Sequence, residues 1–545
     1  MGRSWALQLL RAAGCWPALF ALSAAAATPE LLPVSVAKDG IPAELGYRLR
    51  GGFTSTSAYD TGDRNLYYFL HWEQYIPHSV VQRDGPIAPL PVALNSALGS
   101  VRARTSLGEL SLDQMLADPR SRTQGFLVVH KGRVVFEKYP GMRASDHHLW
   151  FSSSKSVAGL LVGLLEADGK LDVSKPIETY LPELANTHWR GIAIIDILDM
   201  ASGLDLAESE QSRTDPRTAV NHFFRSDLGD ASGMSEKTSN EILFGVGKKS
   251  AAGETFEYSS LNTKMLGLLV ERVSGQRLAD FLSERVWAKM GAEGDGLLAL
   301  DMQGGPSIHG QISSRLRDKA RYGMLYTPSW KTVAQQPVVP ASLIEKIQRG
   351  CRPSIYQRGA AARATNIQFK PRCNSRQWDA VFEDGDFYKG GARGQGIYVS
   401  PSRDYVAVWF STTMESGWMN YARAMGEVLE RGALPAQAGK PAVREAELAT
   451  LELGEHFDSL RGRRMRMNHA IIDPGASGSL HSHRGRPEIV HVTQGVLTEH
   501  QGDVSREYRA GDTFVSNTDL RLPHRIENRS SEPTEVLLVE IPLPP

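Results

Sequence analysis

A serine and a lysine three residues apart open a strongly apolar stretch of the chain. Ser152 and Lys155 form an S-x-x-K motif, and the apolar positions from Val157 to Leu165 recur at helical spacing. Side chains three positions apart lie on the same face of a helix, so the two groups can touch. A serine hydroxyl is a weak nucleophile until a base takes its proton, and a desolvated lysine can be that base. The pair therefore predicts an activated serine.

S-x-x-K alone is a weak signal, because a chain of this length contains about two matches by chance. A second match, Ser35–Lys38, is indeed present. The residues Asp39–Pro42 that follow it break any helix at once, so we discount that match.

Two remote segments supply the other groups that such a nucleophile needs. Tyr258 precedes a second apolar helical stretch, and a phenol beside a cationic lysine is more easily ionised and can relay a proton. Gly390–Gly396 leads into a predicted strand, where glycines allow close approach to a reacting carbonyl. The N–H of Ile397 is predicted to complete an oxyanion hole with that of Ser152. The predicted oxyanion and substrate-binding residues are Ser152, Ser260, Gly394, Gly396 and Ile397.

These motifs are shared with a known group of enzymes. Residues from about 106 to 432 resemble the beta-lactamase-related serine hydrolases, which include class C beta-lactamases, D-alanyl-D-alanine carboxypeptidases, family VIII esterases and 6-aminohexanoate-dimer hydrolases. The stretches Trp150–Val157, Leu181–Leu184 and Met200–Leu204 look most like the aminohexanoate-dimer hydrolase branch.

The resemblance implies both a fold and a set of roles. The fold is an α/β (α+β) domain of the beta-lactamase/transpeptidase type, with an antiparallel sheet flanked by helices. Ser152 would carry an acyl group, Lys155 would be the partner base and Tyr258 the proton relay. No cofactor is implied for this domain.

Two positions depart from the family pattern. Ser260 stands where relatives often have asparagine, and Gly394 stands where lactamases open the third motif with lysine or histidine. Without a cation there, and with Arg393 not expected to point inward, a penicillin carboxylate is disfavoured. Carboxylesters or linear amides are the expected small-molecule substrates.

A second constellation lies near the C-terminus. His481 and His483 are two apart, as on one face of a strand, and Glu488 and His524 can complete a mixed nitrogen and oxygen site for a divalent metal. Such ligands suit Mn, Fe, Ni or Zn, and the sequence does not choose among them.

The surrounding residues, from about 457 to 541, resemble a cupin, which implies an all-β barrel. The spacing G-x5-H-x-H-x4-E-x6-G is present in full, whereas Asn517–Asp519 replaces the usual Pro-x-Gly turn before the last histidine. Cupins serve as enzymes, sugar binders and sensors, so the fold does not settle the role.

The chain divides into five predicted segments. Residues 1–27 read as an export signal, 28–105 as a lead segment, 106–432 as the hydrolase domain, 433–455 as an Ala-, Pro- and Gly-rich linker and 456–545 as the cupin. The mature protein is therefore expected to be periplasmic or secreted, with no stable membrane span. In an oxidising compartment Cys351 and Cys373 can pair, and two buried thiols are the alternative.

Composition narrows the remaining functions. The 545 residues carry 61 basic and 61 acidic side chains, so the chain has no net positive charge that would attract nucleic acid. We expect an exported hydrolase that cleaves an ester or amide through an acyl-Ser152 intermediate, with an accessory metal-binding cupin. The alternatives are a non-catalytic sensor of cell-wall fragments or other ligands, and an enzyme whose chemistry lies at the cupin metal.

Overall fold

The structure is a computed structural model. It describes residues 31–51, 53–55, 57–59, 62–229, 237–363, 368–413, 415, 417–432, 443–482, 487–516, 523–530 and 533–542. The predicted export signal, 1–27, lies outside the described residues. The chain forms two compact units, Met1–Leu434 and Pro435–Pro545, each of which is described by itself.

The α-helices of the described residues all belong to the first unit. They are α1 (Val36–Asp39), α2 (Ala43–Arg50), α3 (Asp63–His71), α4 (Leu112–Ala117), α5 (Lys155–Ala167), α6 (Ile194–Leu198), α7 (Glu210–Thr214), α8 (Ala219–Leu228), α9 (Ser239–Phe244), α10 (Ser260–Ser274), α11 (Leu278–Arg285), α12 (Leu316–Met324), α13 (Trp330–Val333), α14 (Ala341–Arg349), α15 (Pro353–Arg358) and α16 (Trp418–Arg431).

Strands occur in both units. In the first unit they are β1 (His78–Val81), β2 (Arg102–Thr105), β3 (Gly108–Ser111), β4 (Thr123–His130), β5 (Arg133–Lys138), β6 (His148–Leu149), β7 (Gly296–Ala299), β8 (Ile312–Ser314), β9 (Cys373–Ser375), β10 (Trp378–Val381), β11 (Phe387–Gly391), β12 (Gln395–Ser400) and β13 (Tyr405–Ser411). In the second unit they are β14 (Val443–Glu452), β15 (Arg464–Ile472), β16 (Glu488–Gln494), β17 (Val496–Gln501), β18 (Val504–Arg509), β19 (Thr513–Val515), β20 (His524–Glu527) and β21 (Thr534–Glu540).

A seven-stranded antiparallel sheet organises the first unit, in the order β5-β4-β13-β12-β11-β10-β9. The short apolar runs on either side of Lys131–Gly132 and of Pro401 predict two strand pairs, and both are confirmed, as β4 with β5 and β12 with β13. Alternate residues of each strand point to opposite faces, so Leu127 and Val408 join one apolar cluster, whereas Phe126 and Trp409 join another. Helices α5, α10 and α12 contribute to the first cluster, and α4 and α16 to the second.

Helix α5 is apolar on all sides, which is the pattern of a helix enclosed by other elements. Its residues from Lys155 to Leu165 are buried. Burial of each leucine side chain stabilises the folded state by roughly 1.5–3 kcal/mol. The helix ends at Ala167, just before Gly169, whose φ of 70° suits a residue without a side chain.

The described residues of the predicted lead segment, 28–105, pack against the rest of the first unit. Phe69 and Trp72 are buried in the main apolar cluster, and β1 pairs with β7. The disulfide between Cys351 and Cys373 is present and joins the α14–α15 connection to β9.

The second unit consists of a five-stranded sheet, β14-β15-β21-β16-β19, and a three-stranded sheet, β18-β17-β20. Their inward residues, including Ile472, Val492 and Val536, form one apolar core. The prediction of a linker over 433–455 was too long, because β14 occupies Val443–Glu452 and pairs with β15. Residues 433–442 lie outside the described residues, and Leu453–Glu455 form a 3₁₀ turn. No helix of the described residues is long and apolar enough to cross a membrane.

Candidate active site

The predicted nucleophile lies on a tight turn at the start of α5. A 3₁₀ turn, Phe151–Ser154, runs directly into that helix. Phe151 has a φ of 47°, a left-handed conformation that is rare for a bulky residue, and its ring packs 4.7 Å from that of Phe69. Ser152 is partly exposed, whereas its neighbours are buried. Packing therefore holds a strained turn that presents one hydroxyl.

Lys155 is fully buried and contacts that hydroxyl. Its Nζ lies 3.0 Å from Ser152 Oγ and 3.0 Å from Ser260 Oγ, and it also donates to the backbone oxygen of His309. Burial lowers the pKa of Lys155 to about 7, against the opposing charge of Glu208. An amine with that pKa can take a proton from serine near neutral pH.

Tyr258 lies beside the same pair. Its hydroxyl hydrogen-bonds to the Ser152 side chain, and the Nζ atoms of Lys155 and Lys389 lie 5.2 Å and 4.8 Å from the centre of its ring. The expectation that this phenol ionises easily was wrong: burial raises its pKa well above the usual value, and Asp379 and Glu208 add to the rise. Tyr258 is therefore a neutral hydroxyl that can donate.

A second buried lysine was missed from the sequence. Lys389 on β11 donates to Asp379 Oδ1 at 2.6 Å and lies 3.4 Å from the Tyr258 hydroxyl. Burial lowers its pKa, against the attraction of Asp379. The premise that Gly394 leaves the third motif without a cation was thus wrong, because Lys389 brings one from the preceding strand. The sequence signal that could have identified Lys389 is a charged residue within the otherwise uncharged strand Phe387–Gly391.

The strand that approaches the serine turn is β11 and not β12. A Cβ added to Gly391 would lie 2.6 Å from the Trp150 backbone oxygen, which shows how closely β11 approaches. By contrast, Gly396 faces Trp409, and Ile397 is buried in β12, which is hydrogen-bonded to β11 on one side and β13 on the other. The Ile397 N–H prediction therefore does not fit this geometry, because a strand enclosed on both sides has its backbone groups in the sheet.

Gly394 occupies the turn between these strands, with a φ of 85°. It borders a cavity of about 820 Å³ that also borders Tyr258 and Gly391. The remaining lining includes charged residues, among them Arg213, Asp379 and Arg393, and six large rings, namely Tyr59, Phe256, Tyr356, Tyr388, Trp409 and Trp418. A cavity with aromatic walls suits the apolar part of a small ligand.

Ser260, predicted to bind substrate, instead lies at the buried start of α10. Its hydroxyl contacts Lys155, and its backbone N–H donates to Glu208 Oε2 at 2.9 Å. The Glu208 side chain is only 5% exposed and lies 3.5 Å from Arg213. Sequence patterns did not single out Glu208, because nothing local links it to a helix that begins 52 residues later.

The predicted metal ligands lie only partly within the described residues. The rings of His481 and His524 are 4.7 Å apart, and Glu488 is buried at the start of β16. His483 lies outside the described residues. Among those that are described, no group of three or more histidine, cysteine or acidic side chains is arranged to hold a metal ion.

The fold and the Ser152 site define a class of protein, the serine hydrolases that use a lysine partner. Comparison with known proteins agrees: the beta-lactamase family model matches residues 112–429, and a cupin domain model matches 468–540. The chain belongs to the beta-lactamase family and carries a C-terminal cupin domain.

Individual relatives refine this placement. The chain is 28% identical over 369 residues to the 6-aminohexanoate-dimer hydrolase of Paenarthrobacter ureafaciens, covering 66% of this chain and 88% of that protein. It is 25% identical over 177 residues to protein flp of Staphylococcus aureus strain MW2, covering 30% and 32%. A solved structure from Bacillus anthracis, named as a candidate 6-aminohexanoate-dimer hydrolase, matches with a TM-score of 0.58 and 22% identity over 71% of this chain and 97% of that one. That likeness supports the fold.

Proposed function

We propose that this family member is an exported hydrolase that cleaves a carboxylester or a linear amide through an acyl group on Ser152. The observation that carries the proposal is the 3.0 Å contact between Ser152 Oγ and the buried Nζ of Lys155, whose pKa burial lowers to about 7. The similarity to a 6-aminohexanoate-dimer hydrolase supports an amide or ester as the bond cleaved.

Acylation needs one group that can accept a proton and another that can donate one. Neutral Lys155 takes the Ser152 proton as Oγ attacks the substrate carbonyl and forms a tetrahedral intermediate. Tyr258, a neutral phenol, donates its proton to the leaving amine or alcohol as the carbonyl–heteroatom bond breaks, and the proton on Lys155 then restores the phenol. In deacylation a water molecule attacks the acyl-enzyme through the same proton transfers, the bond to Ser152 Oγ breaks, and the carboxylic acid is released.

The negative oxygen of the intermediate needs fixed donors. We assign these to the backbone N–H of Ser152 and to the backbone where β11 ends, at Gly391 and the following Ala392, since Gly391 closely approaches the serine turn. The Lys389 ammonium beside Tyr258 adds positive charge to the same side of the site.

The decisive experiment is turnover of an activated ester by Ser152→Ala. We expect at least a thousandfold loss, since residues that act as one unit lose most of the rate when one is removed. The matched control is Ser35→Ala, which alters the other S-x-x-K match and should leave the rate unchanged. A Ser152→Ala protein that remains active would exclude the acyl-serine route. Full activity after chelation and loss on Ser152→Ala would also separate this route from chemistry at the cupin.

We further propose that the cupin is an accessory module that binds a divalent transition metal through His481, His483, Glu488 and His524. The donor chemistry fits Mn, Fe, Ni or Zn. The nearness of the His481 and His524 rings supports it, as does the 2.8 Å hydrogen bond from His524 Nδ1 to Glu499, the kind of contact that orients a metal-binding imidazole.

The metal content of the purified protein, measured by inductively coupled plasma mass spectrometry, tests this second proposal. About one equivalent per chain is expected, and His481→Ala with His524→Ala should remove it; absence of metal after growth in each of the four metals would contradict it. Export is tested separately by cell fractionation and N-terminal sequencing of the mature protein, which should begin near residue 28.

A further inference from the structure

The Ser260 hydroxyl lies between the proposed base and a buried carboxylate. Its oxygen is 3.0 Å from Lys155 Nζ, and both its hydroxyl and its backbone N–H hydrogen-bond to Glu208. The Glu208 N–H in turn donates to the Tyr258 backbone oxygen at 3.0 Å. The Glu208 segment is therefore fixed against the residues that precede α10.

The direction of each hydrogen bond follows from the chemistry of the groups. A serine hydroxyl has one proton, and an ionised carboxylate can only accept, so the Ser260 proton points to Glu208. The Ser260 oxygen must then accept from Lys155. The His309 backbone oxygen, the other fixed partner of Lys155, also can only accept.

A neutral amine has two N–H groups and one lone pair. With both N–H groups of Lys155 taken by Ser260 Oγ and the His309 oxygen, the lone pair is left facing the third neighbour, the Ser152 hydroxyl. That is the orientation in which Lys155 can accept the serine proton.

We propose that Glu208 is a positioning residue that acts through Ser260 to aim the lone pair of Lys155 at Ser152. This inference rests on the proposed function, because it presumes that Lys155 is the base. In the step itself the Ser152 proton moves to Lys155 Nζ and the Ser152 oxygen forms the bond to the acyl carbon. Glu208 and Ser260 keep their protonation throughout.

Glu208 is suited to remain ionised. Burial alone would raise its pKa, but the charges of Lys155 and Arg213 and the two hydrogen bonds from Ser260 lower it below its ordinary value. Its negative charge also favours the protonated form of Lys155. The charged and titratable groups that surround Lys155 are Glu208, Arg213, Tyr258, His309, Asp379 and Lys389.

Glu208→Gln tests the proposal, since the amide has the same shape but can donate as well as accept. We expect kcat/KM for an activated ester to fall about 10- to 100-fold, at or below the lower end of the roughly 10²- to 10⁴-fold contribution of a group that itself transfers the proton. The acidic limb of the pH profile should move to lower pH, because loss of the negative charge lowers the pKa of Lys155.

Ser260→Ala and the double variant complete the test. If Glu208 acts through Ser260, the double variant should be no slower than the slower single variant. The matched control is Glu271→Gln, another glutamate that accepts a backbone N–H at a helix start, that of Leu278 at 2.9 Å, away from this site. It should keep both the rate and the pH profile.

Three results would overturn the proposal: an unchanged rate in Glu208→Gln, an unshifted acidic limb, or rate losses that multiply in the double variant. Thermal unfolding of each variant separates a folding defect from lost positioning, because lost positioning lowers the rate without lowering the unfolding midpoint. If Ser152→Ala also keeps full activity, the proposed function itself fails, and that outcome is distinct from the three above.

Discussion

Replacement of Gly391 by alanine tests whether β11 forms one wall of the reaction site. The added Cβ would lie 2.6 Å from the Trp150 oxygen and 3.1 Å from Phe151 Cβ. An ordinary contact begins near 3.4 Å, so the strand end and the serine turn must separate by roughly 0.8 Å. The shortest contact is with a backbone oxygen and the next two, with Gln395 at 2.8 Å and with Phe151, are with Cβ atoms, so rotation of a side chain cannot relieve them.

A misplacement of about 1 Å in a reaction site can reduce the rate about 10²-fold, which corresponds to about 2.7 kcal/mol of activation free energy. We therefore expect kcat of Gly391→Ala on an activated ester to fall roughly 100-fold. Its free energy of unfolding should fall by about 1–3 kcal/mol, the usual effect of overpacking. Stopped-flow or steady-state release of a chromogenic alcohol measures the first quantity, and urea unfolding measures the second.

The matched control is Gly247→Ala, because a Cβ there meets nothing within 4 Å. It should leave both kcat and stability nearly unchanged. A folded Gly391→Ala protein with kcat within about twofold of the parent would refute the assignment of β11 to the site, since the stated displacement requires a larger loss.

Three further predictions concern protonation, charge and the disulfide. Because Lys155 acts as a base when neutral and burial lowers its pKa to about 7, kcat/KM should rise with pH through about 7, and a profile that is flat from pH 5 to 9 would contradict this. Asp379→Asn removes the carboxylate 2.6 Å from the buried Lys389, so urea unfolding should show a loss of roughly 1–3 kcal/mol, and an unchanged midpoint would count against that ion pair. Replacement of Cys351 and Cys373 by serine opens a loop closed across 22 positions and should destabilise the protein by about 3 kcal/mol relative to the oxidised parent, measured by thermal unfolding, and an unchanged midpoint would contradict this.

Local patterns were sufficient for the elements that carry the site. The apolar spacing after Ser152 and after Tyr258 predicted α5 and α10, and the turn at Lys131 and Gly132 predicted the β4–β5 pair. Each of these signals lies within the element that it describes, so no tertiary information was required.

The assignments that failed depend on packing across the chain. The segment Gly390–Gly396 contains the end of β11, the turn and the start of β12. Sequence periodicity does not tell which of these two strands contacts a remote helix, and in the structure it is β11 that approaches the start of α5. The pKa of Tyr258 rises because the folded chain buries it, which its neighbours in sequence do not reveal. Lys389 and Glu208 reach the site from segments distant from Ser152, so only the fold brings them together.

The most direct test of the central claim is the mass of the enzyme during turnover of a slow ester. After rapid acid quenching, we expect the intact chain to gain one acyl group, and the fragment spectrum should locate that group on Ser152. Lys155→Met should abolish the adduct, because no buried amine then takes the serine proton. An adduct on any other residue, or product release under single-turnover conditions with no acyl-enzyme at any time point, would contradict the account.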